Sequence, residues 1–331
     1  MELSSWQILQ SVLPMYGLII LGGFLRKWKV LLPEADGSLM KLVINCLYPL
    51  LIIDKILASE AVKDVNLILW TIPTGFLVIT LSIFLAKVLA KVGKIPEGPV
   101  RNTFATTTGI QNYGFAAVPI IMALFPKGLL GVQFVHTLGV DIALWTVGIA
   151  TLQGKRPKSF RSIFTGPVIA VLVGLVLVFT GLGDQIKSTE ALSPIVTITN
   201  WLGACSFPIA LMLVGATLSD ELKQALPTIR LFFMSTLVRI ILLPVIILSA
   251  IWLIPFPQDL ASILVIQAAM PSAVMPIVLS RIYGGHPATA VQVVVTTQLI
   301  GIITIPLWIT LGLYILSLYK FSLAIKYRVL K

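Results

Sequence analysis

The chain has 331 residues, 57% of them apolar and 11% charged, with a formal net charge of +11 and two cysteines, and its mean hydropathy is +1.00. A soluble domain of this length is excluded by that balance, and the chain reads as an all-α, polytopic membrane protein. The basic excess does not point to nucleic acid, because Lys and Arg fall in short connections between apolar runs rather than along one face.

Crossing ~30 Å of hydrocarbon takes roughly 20 residues of helix. Ten runs qualify, at 6–25, 38–58, 66–88, 99–125, 129–152, 162–182, 192–218, 228–254, 259–282 and 289–318, and none alternates as a barrel strand would. The odd-numbered connections carry Arg26, Lys27, Lys29, Lys87, Lys91, Lys94, Arg101, Lys155, Arg156, Lys158, Arg161, Lys223, Arg230 and Arg281; the even ones carry only Lys63, Lys127 and Lys187. Positive charge marks cytoplasmic loops, so a multi-pass protein of the plasma membrane with its N-terminus outside is expected. The tail, with Lys320, Lys326, Arg328 and Lys331, runs against that rule. A cleavable signal is not expected, since the first basic residue, Arg26, follows the first apolar run. Cys46 and Cys205 lie inside predicted spans and are expected to be small packing residues.

Internal similarity divides the chain. Asn-Cys46-Leu-Tyr-Pro49 in span two matches Ala-Cys205-Ser-Phe-Pro208 in span seven, and Gly-Val-Gln133-Phe-Val in span five returns as Ala-Val-Gln292-Val-Val in span ten. Two five-helix repeats are predicted, 1–154 and 162–331, joined by a basic linker over 155–161. Five is odd, so the second copy enters the membrane inverted.

Two segments half a chain apart are interrupted alike: Gln111-Asn-Tyr-Gly-Phe-Ala-Ala-Val-Pro119 and Gln267-Ala-Ala-Met-Pro-Ser-Ala-Val-Met-Pro276. Proline removes a backbone N–H and clashes with the preceding turn, lipid cannot satisfy the groups so freed, and paired broken helices mark transport sites. A lone membrane proline is usually only a kink. Two matched pairs argue for functional breaks at Pro119 and Pro276, while Pro49 and Pro208 read equally well as bends in a rigid support. Half-helix N-termini favour an anion such as a carboxylate. Asn112, Gln111 and Gln267 are candidate donors beside them, or else interhelical hydrogen-bonding residues, and Val118, Met275 and Ile120 are expected to form an apolar wall.

Charged groups inside spans are functional candidates by default. Asp141 in span five could carry a coupling proton, or pair structurally with Arg239 in span eight. His136 lies five residues from Asp141, a poor same-face spacing. Asp54 and Lys55 end span two near an interface, where snorkelling accounts for the lysine. No fixed cation is expected beside either break. Phosphate loops, metal-spaced His or Cys and recognisable nucleophile sets are missing from the sequence, so neither an enzyme nor a self-powered ATPase is predicted, and no cofactor or metal is called for.

The run Ile-Gln267-Ala-Ala-Met-Pro271-Ser-Ala-Val-Met-Pro276, continuing to Tyr283-Gly-Gly-His-Pro287, closely resembles the ninth-helix motif of the auxin efflux carrier family. Asn112 with Pro119 resembles its fourth-helix crossover, and Tyr48-Pro49-Leu-Leu its second helix. The resemblance covers essentially the whole chain; the long loop of plant members is replaced by the short 155–161 linker, as in bacterial and archaeal relatives. It implies a ten-helix inverted repeat related to sodium/bile-acid symporters and sodium/proton antiporters. Helices one, two, six and seven would form a dimerising scaffold, with three to five and eight to ten as a mobile domain whose fourth and ninth helices cross. Family members move organic anions, auxin in plants and by assignment malate or malonate in some bacteria. By position, Asn112 and Pro119 fall on crossover contacts and Tyr48 on a substrate-facing scaffold residue. The third span lacks an acidic residue found in plants, and Asp141 has no plant counterpart.

The expected protein is therefore a secondary carrier of a small organic anion, with the bilayer and a second copy of the chain as its other partners. A sensor that kept the fold without transport, and a sodium- or proton-coupled antiporter of inorganic ions, are the alternatives.

Overall fold

The computed structural model describes residues 5–126, 128–155, 161–221 and 228–329, with 319–329 as backbone only. The linker predicted over 155–161 and Lys127, Lys223 and Lys331 thus fall largely or wholly outside the described residues. Among the described residues the regular structure is helical, with one isolated bridge between Gln111 and Ser272. In chain order the helices are α1 (Ser5–Lys27), α2 (Pro33–Leu42), α3 (Tyr48–Leu57), α4 (Val65–Val92), α5 (Pro99–Gly109), α6 (Ala117–Leu124), α7 (Leu129–Ala143), α8 (Ile149–Gln153), α9 (Gly166–Phe179), α10 (Leu182–Ser188), α11 (Ser193–Glu221), α12 (Ile229–Ser235), α13 (Leu243–Leu253), α14 (Gln258–Ala269), α15 (Met275–Ile282) and α16 (Pro287–Val329).

Every predicted run is helical, but not every one is a single long helix. Among the described residues six helices are long and apolar enough to cross a membrane, and α9 with α10 would make a seventh but for an 84° bend between them. The run at 38–58 is α2, a π-helical turn at Val43–Leu47 and α3. Those at 99–125 and 259–282 are each two helices separated by a non-helical gap. Local chemistry sets the ends: Asp64 accepts from Asn66 N–H (2.9 Å) at the start of α4, Thr228 caps α12, and Gly154, at φ 67°, closes α8 in the left-handed conformation that glycine adopts without strain.

Two helix pairs pack backbone against backbone. A Cβ on Gly22 would strike the Met212 carbonyl and one on Gly215 the Ile19 carbonyl, joining α1 to α11; Gly75 against His136 and Gly139 against Ile72 join α4 to α7 in the same reciprocal way. Lipid gives no hydrophobic drive between helices, so association relies on such close approach at small residues. Around these pairs, α3 packs on α9 and α11, α5 on α4 and α16, and α14 on α13 and α16.

Polar contacts tie alternate connections to opposite ends of the bundle. At one end Arg26 bonds Asp36 and Asp220, Arg230 donates to the Lys94 carbonyl (2.7 Å), and His286 N–H donates to Thr103 Oγ1 (2.9 Å). At the other, Ser59 donates to the Gly128 carbonyl (2.6 Å) and Lys63 bonds Glu60 and Asp184, which raises the lysine pKa.

Two further π-helical turns, Leu144–Gly148 and Thr236–Leu242, interrupt helical runs. Such turns recur at functional sites. Of the three π-helical turns, Thr236–Leu242 carries Arg239, and the other two border the cavity described next.

Candidate functional site

Between α5 and α6, and again between α14 and α15, the chain leaves the helix and the two gaps meet. Asn112 N–H donates to the Pro271 carbonyl (2.8 Å) and Ala273 N–H to the Ile110 carbonyl (2.9 Å), a two-bond antiparallel contact that satisfies backbone neither helix can serve. The prolines start helices here rather than break them. Pro119 and Pro276 stand in the first turns of α6 and α15, where a missing N–H costs nothing, and only Pro271 lies in a gap. The first free amides of α6 are held by Asn112, whose Oδ1 accepts from Ala116 N–H (3.2 Å) and whose carbonyl accepts from Ala117 N–H (3.3 Å).

A cavity of about 100 Å³ opens beside the crossing. Tyr48, Asn112, Tyr113, Thr137, Asp141 and Met275 contribute to its wall, which extends to Thr165 and Pro167 at the start of α9, next to the basic segment. Three candidates distant in sequence, Tyr48, Asn112 and Asp141, therefore share one space. Asp141 accepts from the Tyr113 hydroxyl (2.6 Å). The Asn112 side chain, 5% exposed, has no partner among the described residues for its Nδ2 donors once Oδ1 caps α6. The Tyr48 hydroxyl is buried without a partner among the described residues, while its ring is fixed by edge contacts to Phe134 (5.8 Å) and Phe207 (5.7 Å) and a tilted contact to Phe115 (6.1 Å). Buried donors normally find acceptors, so both groups are free to receive one from a ligand.

Gln111 and Gln267 do not line this cavity. They lie behind it in a buried amide chain in which Gln111 Nε2 donates to Gln267 Oε1 (3.4 Å), Gln267 Nε2 to Gln133 Oε1 (3.0 Å), and Gln133 Nε2 to the Tyr113 carbonyl (2.8 Å). Of the predicted apolar wall only Met275 faces the cavity; Val118 and Ile120, on α6, pack into the core instead. His136 is fully buried, outside the cavity, with neither ring nitrogen bonded among the described residues. Asp54 bonds its neighbour Lys55 (2.6 Å) away from the crossing.

One of the two readings of Asp141 is set aside, and one expectation about charge is corrected. Asp141 does not pair with Arg239: the carboxylate takes Tyr113, and Arg239 Nη2 reaches the Gln267 carbonyl (3.4 Å). A fixed cation does accompany a break, because that carbonyl belongs to the last turn of α14. The residues missed from sequence are Tyr113, Gln133 and Trp145. Tyr113 stood inside the interrupted segment and Gln133 inside a repeat match, but nothing in either pattern gave the direction of the side chain.

The description "Membrane transport protein" matches this chain over residues 7–161 and 156–309. The chain belongs to that family, the auxin efflux carriers. An uncharacterized transporter of Methanothermobacter thermautotrophicus is 24% identical over 310 residues, 90% of this chain and 96% of the relative. A second, from Methanocaldococcus jannaschii, is 25% identical over 206 residues, 60% of this chain and 64% of that protein. This member of the family is thus a membrane transport protein, and its two matched stretches meet at the basic segment that separates the two broken helices.

Proposed function

We propose that the protein is a secondary carrier of a small carboxylate, worked by alternating access at the crossing of its two broken helices. The observation that carries this reading is the meeting of Tyr48, Asn112 and Asp141 in one cavity at that crossing. The unused donors of Tyr48 and Asn112 suit a carboxylate, and the N-terminal ends of α6 and α15 add a favourable dipole. A space of about 100 Å³ is well below the ~300 Å³ at which drug-sized pockets begin, which favours a short aliphatic acid of the malonate or malate kind over an auxin-like aromatic one.

The architecture proposed around it is ten spans in two inverted five-helix repeats, supported by the way alternate connections meet at opposite ends. α1, α2 with α3, α9 and α11 form the scaffold, through which two copies of the chain dimerise in the bilayer. The remaining helices form the moving domain of an elevator. With the basic connections in the cytoplasm of a plasma-membrane protein, the N-terminus lies outside and the cavity, reaching toward Thr165, faces inward.

A coupled antiporter of inorganic ions is the second reading, favoured by a carboxylate, Asp141, that sits in the cavity with a single hydroxyl partner. Protein in proteoliposomes should take up labelled malonate or malate, and the same acids should raise its melting temperature. A folded protein indifferent to a panel of mono- and dicarboxylates in both assays ends the carrier reading. Dissipation of a pH gradient by sodium alone would move the assignment to the antiporter.

A further inference from the structure

Arg239 is fully buried, and among the described residues its Nε and Nη1 have no hydrogen-bond partner. Its Nη2 reaches only the Gln267 carbonyl, at 3.4 Å. Among the described residues no carboxylate pairs with it. An uncompensated buried charge is strongly unfavourable, and inside a membrane bundle such a group marks function. Its setting is specific: the π-helical turn Thr236–Leu242 packs against α5 and α16, and the carbonyl it meets lies at the C-terminal end of α14, the negative end of that helix dipole.

We infer that Arg239 is a positioning residue that makes the crossing selective for anions. Four half-helix ends converge there, two negative and two positive, and their fields would nearly cancel. Arg239 offsets the negative end of α14, so that, when the cavity carboxylate Asp141 carries a proton, the positive ends of α6 and α15 and the donors of Asn112 and Tyr48 face the cavity with a net positive field. The guanidinium does not touch the ligand. It acts through Gln267, whose side chain also contacts the Tyr113 carbonyl (3.5 Å), and Tyr113 lines the cavity. This inference deepens the carrier reading above and names its ligand class as anionic by virtue of a fixed charge.

A probe that needs no substrate tests it. In a Cys46→Ser, Cys205→Ser, Met275→Cys background, the cavity thiol is reacted with an anionic ethylsulfonate and a cationic trimethylammonium methanethiosulfonate, and the ratio of the two rates is measured. Access and fold cancel in that ratio, so it reports potential. Arg239→Gln should lower the anionic-to-cationic ratio about tenfold or more, the scale of one buried charge across a few side chains at an effective dielectric near 20, and Arg239→Lys should restore most of it. A ratio unchanged in folded Arg239→Gln protein overturns the inference. Should that variant not fold, Asp141→Asn with Arg239→Gln, compared with Asp141→Asn alone, makes the same comparison with the buried charges balanced. If the double variant also fails to fold, Arg239 holds the bundle rather than the site, and the inference falls. If wild-type protein binds no carboxylate yet the ratio drops, the carrier reading fails while the field stands; carboxylate binding with an unmoved ratio sinks the inference alone.

Discussion

The two breaks share a backbone plan but not a chemistry. At the first, the gap before α6 carries Asn112 and Tyr113 and faces Asp141 on α7, so it supplies the polar groups of the cavity. At the second, the gap and the first residue of α15 present Ala273, Val274 and Met275, an apolar wall, with Arg239 behind it. A duplicated scaffold has been divided into one half that bonds a ligand and one that shapes and biases the space. Inverted symmetry delivers two converging gaps, and specificity comes from breaking that symmetry at side chains.

The sharpest test of this division is Asn112→Ala. It removes the acceptor that holds Ala116 N–H and the free donor facing the cavity, and a hydrogen bond to a charged ligand contributes roughly 1.5–3 kcal/mol. Carboxylate binding should weaken about 100-fold, read by thermal shift or by inhibition of uptake. Ser272→Ala, the bridging position at the second gap, should change binding by less than about threefold, since its hydroxyl is outside the cavity. Equal losses at both positions would mean that the gaps share the work.

Next in size is Asp141→Asn. If the proton enters through this carboxylate, uptake driven by an acid exterior should fall about tenfold, and what remains should no longer vary with pH. Tyr113→Phe removes only the hydroxyl that Asp141 accepts from and should cost about fivefold while keeping a pH dependence, because a single hydrogen bond contributes around 1 kcal/mol. A pH profile that survives Asp141→Asn would place coupling elsewhere and leave the first gap a purely binding element.

How far the sequence reaches is clearest at these residues. The paired interruptions, the helical runs and the candidacy of Asn112 and Asp141 could be read from residue order, because helix breakers and buried polar groups are local signals, whereas Tyr48 was reached only through the family resemblance. Pairing is not local. Asp141 and Arg239 stand nearly a hundred positions apart on helices whose rotation depends on close packing at Gly75 and Gly139, and the π-helical turn at Thr236–Leu242 re-aims the arginine toward Gln267. Val118 and Ile120 flank Pro119 at the predicted break and were expected to line the cavity; both sit on α6. The gap reorients it and sends both into the core. Gln133 looked like a repeat marker, and its place in an amide chain with Gln267 emerges only when α7 and α14 pack together.

The walls beside the two gaps should also differ in tolerance. A Cβ at Gly139 runs into the Ile72 backbone, which cannot move without separating α4 from α7, whereas one at Gly312 on α16 meets only Val265 and Leu248 side chains. Gly139→Ala should therefore destabilise by about 2–3 kcal/mol and Gly312→Ala by roughly 1 kcal/mol or less. Detergent thermal melts of the two variants measure this. The reverse order would make the second wall the rigid one.

The smallest effects are expected at the residues that first drew attention, Pro119 and Pro276. If proline created the breaks, replacing it would let the half-helices fuse and would destroy the crossing. The geometry assigns it a lesser part: both gaps lie upstream of these residues, and they are held by bonds from Asn112 and Ala273 that no first-turn proline makes. Alanine at 276 adds one N–H at a position where helices leave their N–H groups unpaired. Pro276 is buried away from the cavity wall, so the new donor should cost about 1 kcal/mol of stability. Uptake by Pro276→Ala, and by Pro119→Ala, should stay within about threefold of wild type. A collapse of transport in either variant with the fold intact would return the prolines to the role of breakers, and the bridging bonds of Asn112 and Ala273 would become a consequence of the break rather than what holds it open.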